Sequence, residues 1–347
     1  MKKPTCLRHC AFALTALCLC LPPQATWAKG ESAVPLNLSV SAASAHVAAF
    51  KSSDSAQGKG VRRIAVPSIH IEFVTSSSAS ASATEIGRSG TAGVSSTYKL
   101  VGVDGSDMQA IADRLLSELV TELGTAGFEV VSAAEMQQAP SYRKLIANAK
   151  TTLLERSSGS TQSLLVGPST LPLYGIAPAS GSGGLMAAVA GMGNVADMIS
   201  SSLDVAQLQK ELNAAVLALR LRVSFVDLES SSSSLLGRLS GTASVKSKLS
   251  TSLTEAALTL TNAGGGNTVA LTRPLILPGD AFKEVRDVSS AATNIGLAVL
   301  SMAIGKGGSQ SVKEREVVAD AQQYRDALGS SLGAVRAMLV ARLSAER

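Results

Sequence analysis

The chain has 347 residues, 46% of them hydrophobic and 3% aromatic, with 31 basic and 26 acidic side chains. That length makes one large domain or two ordinary ones, and the Leu, Val, Ile and Ala content is enough to form a core. So few aromatic rings argue against stacking platforms for sugars or bases, and no basic stretch is dense enough for a nucleic-acid footprint.

Residues 1–28 read as a secretory signal peptide. Lys2, Lys3 and Arg8 give a positive start, Ala11 to Leu21 is apolar apart from Thr15, and Pro22-Pro23 precede Thr26-Trp27-Ala28. The apolar core is too short to span a bilayer as a helix. Cleavage near Ala28 would remove Cys6, Cys10, Cys18 and Cys20, which are all the cysteines, together with Trp27, the only tryptophan. The remaining chain would hold 28 basic and 26 acidic residues, a net charge of +2, and no disulfide. Leu19 before Cys20 is a poor lipidation context. The expected location is the periplasm, in association with the outer membrane.

Residues 29–60, rich in Ser, Ala and Gly, are expected to form a flexible N-terminal linker ahead of a single α/β domain over 61–347. Order should begin at Val61 to Pro67. Ile69, Ile71 and Phe73 then alternate with His70, Glu72 and Val74, which is strand periodicity. The Ser/Ala/Thr/Gly stretch 75–97 reads as a long loop. A helix follows over 106–123, capped by Ser106 and Gln109, with Met108, Ile111, Ala112, Leu115, Leu119 and Leu123 on one face. Gly124 and Gly127 end it, and Phe128 to Val131 is a short strand. A second helix is expected over 142–154, and 155–184 as irregular. The Gly/Ala-rich stretch around 181–193 leads into a helix over about 195–214, so that 155–210 reads as an insertion.

Leu217, Leu219, Leu221, Val223 and Phe225 alternate with polar or small residues and form the best strand of the sequence. Five serines, Ser230 to Ser234, make a connection. Residues 242–254 alternate again, with Lys246 and Lys248 on the polar side, as a half-exposed strand of a soluble sheet or one strand of a transmembrane barrel. That strand continues through Ala256, Leu258 and Leu260 and turns at Gly264-Gly265-Gly266-Asn267. Helices are expected over about 285–304 and 317–343. There is no internal repeat. The fold class is α/β in the α+β sense, a mixed sheet with helices packed on it.

No motif makes a coherent catalytic constellation, so no catalytic, cofactor-binding or metal-binding residue is assigned. Gly191-x-Gly193-x-x-Ala196 is the loosest form of a dinucleotide fingerprint, and a helix stands where its second strand should be. Ser141-x-x-Lys144 resembles an acyl-enzyme motif, but Ser96-x-x-Lys99 matches equally well, and Ser141 is more simply a helix cap after Pro140. His46 and His70 are the histidines outside the leader. His70 and Glu72 share a strand face, yet two ligands do not make a metal site.

Three stretches are similar to the curli-secretion-channel family and its soluble envelope relatives. Arg63-Ile64-Ala65-Val66-Pro67 resembles that family's opening strand. The helix from Asp107 to Leu123, with Leu115-Leu116, running into Gly127-Phe128-Glu129-Val130-Val131, resembles its first helix and the next strand. Arg222 to Glu229 resembles its strand ending in an Asp-containing turn. The resemblance implies a periplasmic α/β domain, assembly into a ring or docking to envelope machinery, and no enzyme activity. The lipidation cysteine typical of the channel is missing here. The function expected is therefore a non-enzymatic assembly or docking protein accessory to export of a surface polymer or protein. Its partners would be itself or other envelope proteins, with peripheral membrane contact, no nucleic acid and no cofactor. Two alternatives stand beside it: an outer-membrane secretion-pore subunit inserting strands 216–261, and a secreted serine hydrolase.

Overall fold

The computed structural model describes residues 33–39, 41–53, 59–84, 91–147, 149, 151–174, 176, 203–230, 244–279, 281–290 and 310–346. The leader, the Gly191 motif and the run Ser231–Ser234 lie outside them. The strands are β1 (Val34–Pro35), β2 (Phe50–Ser52), β3 (Arg63–Thr84), β4 (Thr91–Val101), β5 (Glu129–Val130), β6 (Leu153–Ser158), β7 (Thr161–Val166), β8 (Ala215–Ser230), β9 (Val245–Asn262), β10 (Gly265–Leu271), β11 (Leu275–Ile276), β12 (Phe282–Asp287) and β13 (Gln310–Ala319). The helices are α1 (Ala42–Ala49), α2 (Gly105–Thr125), α3 (Ala133–Gln138), α4 (Pro140–Ala147), α5 (203–212) and α6 (Ala321–Ser344). All thirteen strands join one mixed sheet whose main path runs β1-β11-β9-β8-β3-β4-β13-β12. The expected class, a mixed sheet with helices on it, holds.

β3 and β8 run parallel at the centre of the sheet and carry its alternation. Ile69, Ile71 and Phe73 of β3 and Leu217, Leu219, Leu221, Val223 and Phe225 of β8 are buried on one face, called the inner face below. α2 covers that face with the six apolar residues expected of it, and α6 adds Tyr324, Leu328, Leu332, Val335 and Leu339. Arg336 of α6 pairs with Glu118 and Glu122 of α2, tying the two helices together at the surface. Along β8 from Leu217 to Phe225 this apolar face is the one the two helices cover. No helix among the described residues is long and apolar enough to cross a membrane.

Register slips in β3 and β9 decide which side chains face which way. Opposite β8, the register slips between Ala65 and Ser68, so an extra residue enters β3 around Pro67, which has no N–H to give a ladder. Ala65 therefore faces outward, and beyond the bulge Ser68, His70 and Glu72 do. In β9 one slip falls between Leu249 and Ser252 and another between Leu253 and Glu255. Buried positions change there from odd (Thr251, Leu253) to even (Ala256, Leu258, Leu260), as a one-residue slip requires.

Several expectations are corrected. Residues 34–52 are not a linker. β1 pairs with β11, β2 pairs with β10, and Phe50 is buried in the main core. Glu346, at the far end of the chain, accepts hydrogen bonds from Ser52 and Asn267 and pins that segment. The stretch 75–97 is mostly strand, since β3 runs on to Thr84 and pairs with β4 from Ser76↔Lys99 to Thr84↔Thr91. Small Ser and Ala side chains gave the ladder no hydrophobic contrast to be read by. Of the helix expected over 142–154, only the first part is helical: α4 runs from Pro140 to Ala147, after the short α3, and Leu153 already begins β6. The supposed insertion begins as a β6–β7 hairpin, and β7 pairs with β3, so 153–166 belongs to the sheet.

The cap of α2 is Asp104, not Ser106. Its carboxylate accepts from the N–H groups of Ser106 and Asp107 at 2.8 and 3.1 Å, and Asp107 returns a bond to the Asp104 N–H. Gly102 just before it has φ +87, and a Cβ there would strike the Ala319 carbonyl oxygen. The helix expected at 285–304 begins as strand β12, and the remainder, 291–309, lies outside the described residues. The last helix starts at Ala321 because residues 310–319 form β13, parallel to β4.

Candidate functional site

The outer face of the same strands is polar where the inner face is apolar. α3, α4 and α5 cover one end of it with a second, smaller core built on Ala65, Val131, Met136, Tyr142, Leu208 and Val216. Past the Pro67 bulge the cover changes character. Ser68, His70 and Glu72 point outward from β3, and Arg220 and Arg222 stand beside them on β8 through the pairs His70↔Arg220 and Glu72↔Arg222. Glu255 of β9 lies across from Arg222, and Arg156 of β6 across from Ser163 of β7.

These side chains form a charged row across five strands. Glu72 sits at its centre, accepting a 2.8 Å hydrogen bond from the Ser163 hydroxyl. Arg156 and Arg222 each approach Glu72 at 3.8 Å, and Arg222 approaches Glu255 at 3.6 Å. Those separations are ion pairs without tight hydrogen bonds. Arg220 has the through-space field of Glu255 and Glu72, but burial outweighs it and holds its pKa below the ordinary guanidinium value.

His70 is buried beside this row, with its Nε2 3.1 Å from the Ser68 hydroxyl. Ser68 also meets the Tyr174 hydroxyl. Burial first, then the charges of Arg220 and Arg156, push the His70 pKa down to about 4. A serine next to an imidazole is the start of a nucleophilic pair, but this ring is a poor proton acceptor. Two guanidinium groups oppose the imidazolium that general-base catalysis must form. His70 and Glu72 share a face, as expected, and do not pair with each other. No group of three or more potential metal ligands forms among the described residues.

The other sequence candidates have structural partners. Ser141 is buried at the start of α4, and its N–H and hydroxyl both donate to the Glu211 carboxylate, at 3.0 and 2.8 Å. Ser96 is buried in β4, not placed in a loop. Gly191, Gly193 and Ala196 lie outside the described residues. What the sequence did not single out is the arginine set, Arg156, Arg220 and Arg222. The signal was there in β8, where Arg220 and Arg222 are the charged members of an apolar alternation.

A concave feature lies elsewhere, where the long strands part. β8 leaves β3 after Phe73↔Val223, and β4 takes its place along β3 from Ser76. Two hairpin stems result, β3–β4 and β8–β9. A cleft of about 480 Å³ opens between them, lined by Ser77, Ser78, Ser80, Ser95, Ser160 and Asp227 among others. Tyr98 of β4 bridges the stems, 2.6 Å from the Ser247 hydroxyl of β9, and Arg315 of β13 donates to the Tyr98 oxygen at 2.7 Å. The chain matches no protein-family model, no curated protein and no solved structure.

Proposed function

We propose that this chain is a non-enzymatic envelope protein, exported to the periplasm, that assembles with copies of itself or docks on other envelope proteins to support export of a surface polymer or protein. Kinship with the curli-secretion-channel family is part of the same proposal. The observation that carries it is the end of the sheet. Among the described residues β12 pairs only with β13 and leaves its other edge without a ladder. An open edge is a template for adding a strand from another chain. Charges normally guard such an edge, but here Lys283 pairs with Asp320 at 2.6 Å and Arg286 pairs with Glu284. Val285 and Val288, 43% and 45% exposed, remain as apolar points of contact.

Cross-linking and light scattering on the purified chain test the proposal. An oligomer that Val285→Arg with Val288→Arg dissociates is the expected result. A strict monomer that cross-links to no envelope protein overturns it. The pore reading keeps one supporting observation, the β3–β4 stem, whose nine paired positions span roughly 30 Å, the thickness of a bilayer core. Full solubility of the leaderless chain without detergent would count against that reading.

A further inference from the structure

Arg220 is shielded from most solvent contact, yet among the described residues no acceptor lies within hydrogen-bond reach of its guanidinium and no carboxylate within 4.0 Å. A guanidinium carries five donors, and leaving them unmet away from bulk water is costly. Its lateral neighbours are His70 on β3 and Ala257 on β9, with Ala218 two residues back on its own strand. The alanines contribute only methyl groups beside it. Arg156 is near enough to act on both Arg220 and His70. Arg156, Arg220 and Arg222 stand beside Glu72 and Glu255 in the row, and Arg220 is the one of the three arginines without a carboxylate within 4.0 Å among the described residues.

We propose that Arg220, with Arg156, Ser68 and His70 around it, forms a receptor for a single carboxylate group. A carboxylate supplies the acceptor that Arg220 lacks, whereas the nearby Glu72 and Glu255 disfavour a more highly charged group. The planar fork of an arginine matches the two oxygens of a carboxylate. Ser68 and the neutral His70 ring supply further polar contacts at 3.1 Å from one another. The remaining exposure of Arg220 gives a small group access from the outer face. This electrostatic argument does not depend on the docking reading. The carboxylate has two possible sources, a free small acid and the C-terminus of a peptide.

Acetate titration of the purified chain, against chloride at equal ionic strength, tests the site, read by the ring resonances of His70 and by the unfolding temperature. Saturable shifts with acetate alone are expected, with the His70 pKa rising as the added anion offsets the arginines. Arg220→Gln should weaken binding by about tenfold or more, as loss of a charge-assisted bidentate contact requires. Arg220→Lys keeps the charge and loses the fork, so it should weaken binding while the fold persists. A tripeptide with a free C-terminus and its C-terminal amide separate the sources. Tighter binding of the free peptide than of acetate assigns the site to chain ends, and equal binding assigns it to small acids. Overturning results are acetate shifts no different from chloride, an Arg220→Lys chain that binds like the parent, or an amide that binds as tightly as the free peptide.

Discussion

The two faces of the central strands obey opposite rules. On the inner face Phe73, Leu219 and Leu258 are buried against α2 and α6, and their energy is the transfer of apolar surface out of water. On the outer face, one residue away along the same backbone, Glu72, Arg220 and Glu255 are held by long-range charge and a few hydrogen bonds. The inner face gains stability from every contact. The outer face spends part of that stability to keep charges away from water, which a core built only for strength would not do. A polar row kept at that cost is where function is to be sought.

The contrast is open to direct attack. Phe73→Ala should cost most, about 3–5 kcal/mol in urea unfolding, because the inner face has nothing to fill the space. A loss no larger than that of an outer-face substitution would erase the distinction. Acidification comes next, and within the central strands it acts on the outer face through His70. His70 takes up its proton near pH 6.5 when unfolded but only near pH 4 when folded. Between those values the unfolded chain binds more protons, so stability rises with pH and is lost as the pH drops through that window, by roughly 3 kcal/mol in full. His70→Gln should flatten that part of the stability curve, seen as a pH-dependent difference from the parent. Glu72→Gln leaves Arg156 and Arg222 facing a neutral group and should cost about 2 kcal/mol in the same measurement. Ser163→Ala removes one hydrogen bond to Glu72 and should cost about 1 kcal/mol.

The sequence showed the inner face well, since alternation in β8 and the apolar stripe of α2 are direct marks of burial. It showed the outer face poorly, for two physical reasons. The first is the bulges. A single extra residue near Pro67 and another near Thr254 exchange the two faces, and each shows in the sequence only as a change of phase between two short apolar runs. The second is pairing. His70 and Arg220 are neighbours only because β3 and β8 run parallel in that register, which no local pattern encodes. Ser76 to Thr84 failed differently. Alternating Ser and Ala differ too little in hydrophobicity to tell a ladder from a loop. The ends of β12 and β13, 285–287 and 317–319, fall within expected helices because Val285 and Val317 fit either period.

The parallel pairing of β3 with β8 also orders events in time. Ile64 meets Ala215 across roughly 150 intervening residues, and β4 meets β13 only when the last strand of the sheet is present. Each closure spends chain entropy before any ladder bond repays it. The centre of this sheet is thus among the last parts that can form. Until it does, the stretch of β3 from Ile64 to Phe73 lacks its β8 partner, and Glu72 is the charge on that stretch that opposes pairing with the wrong chain.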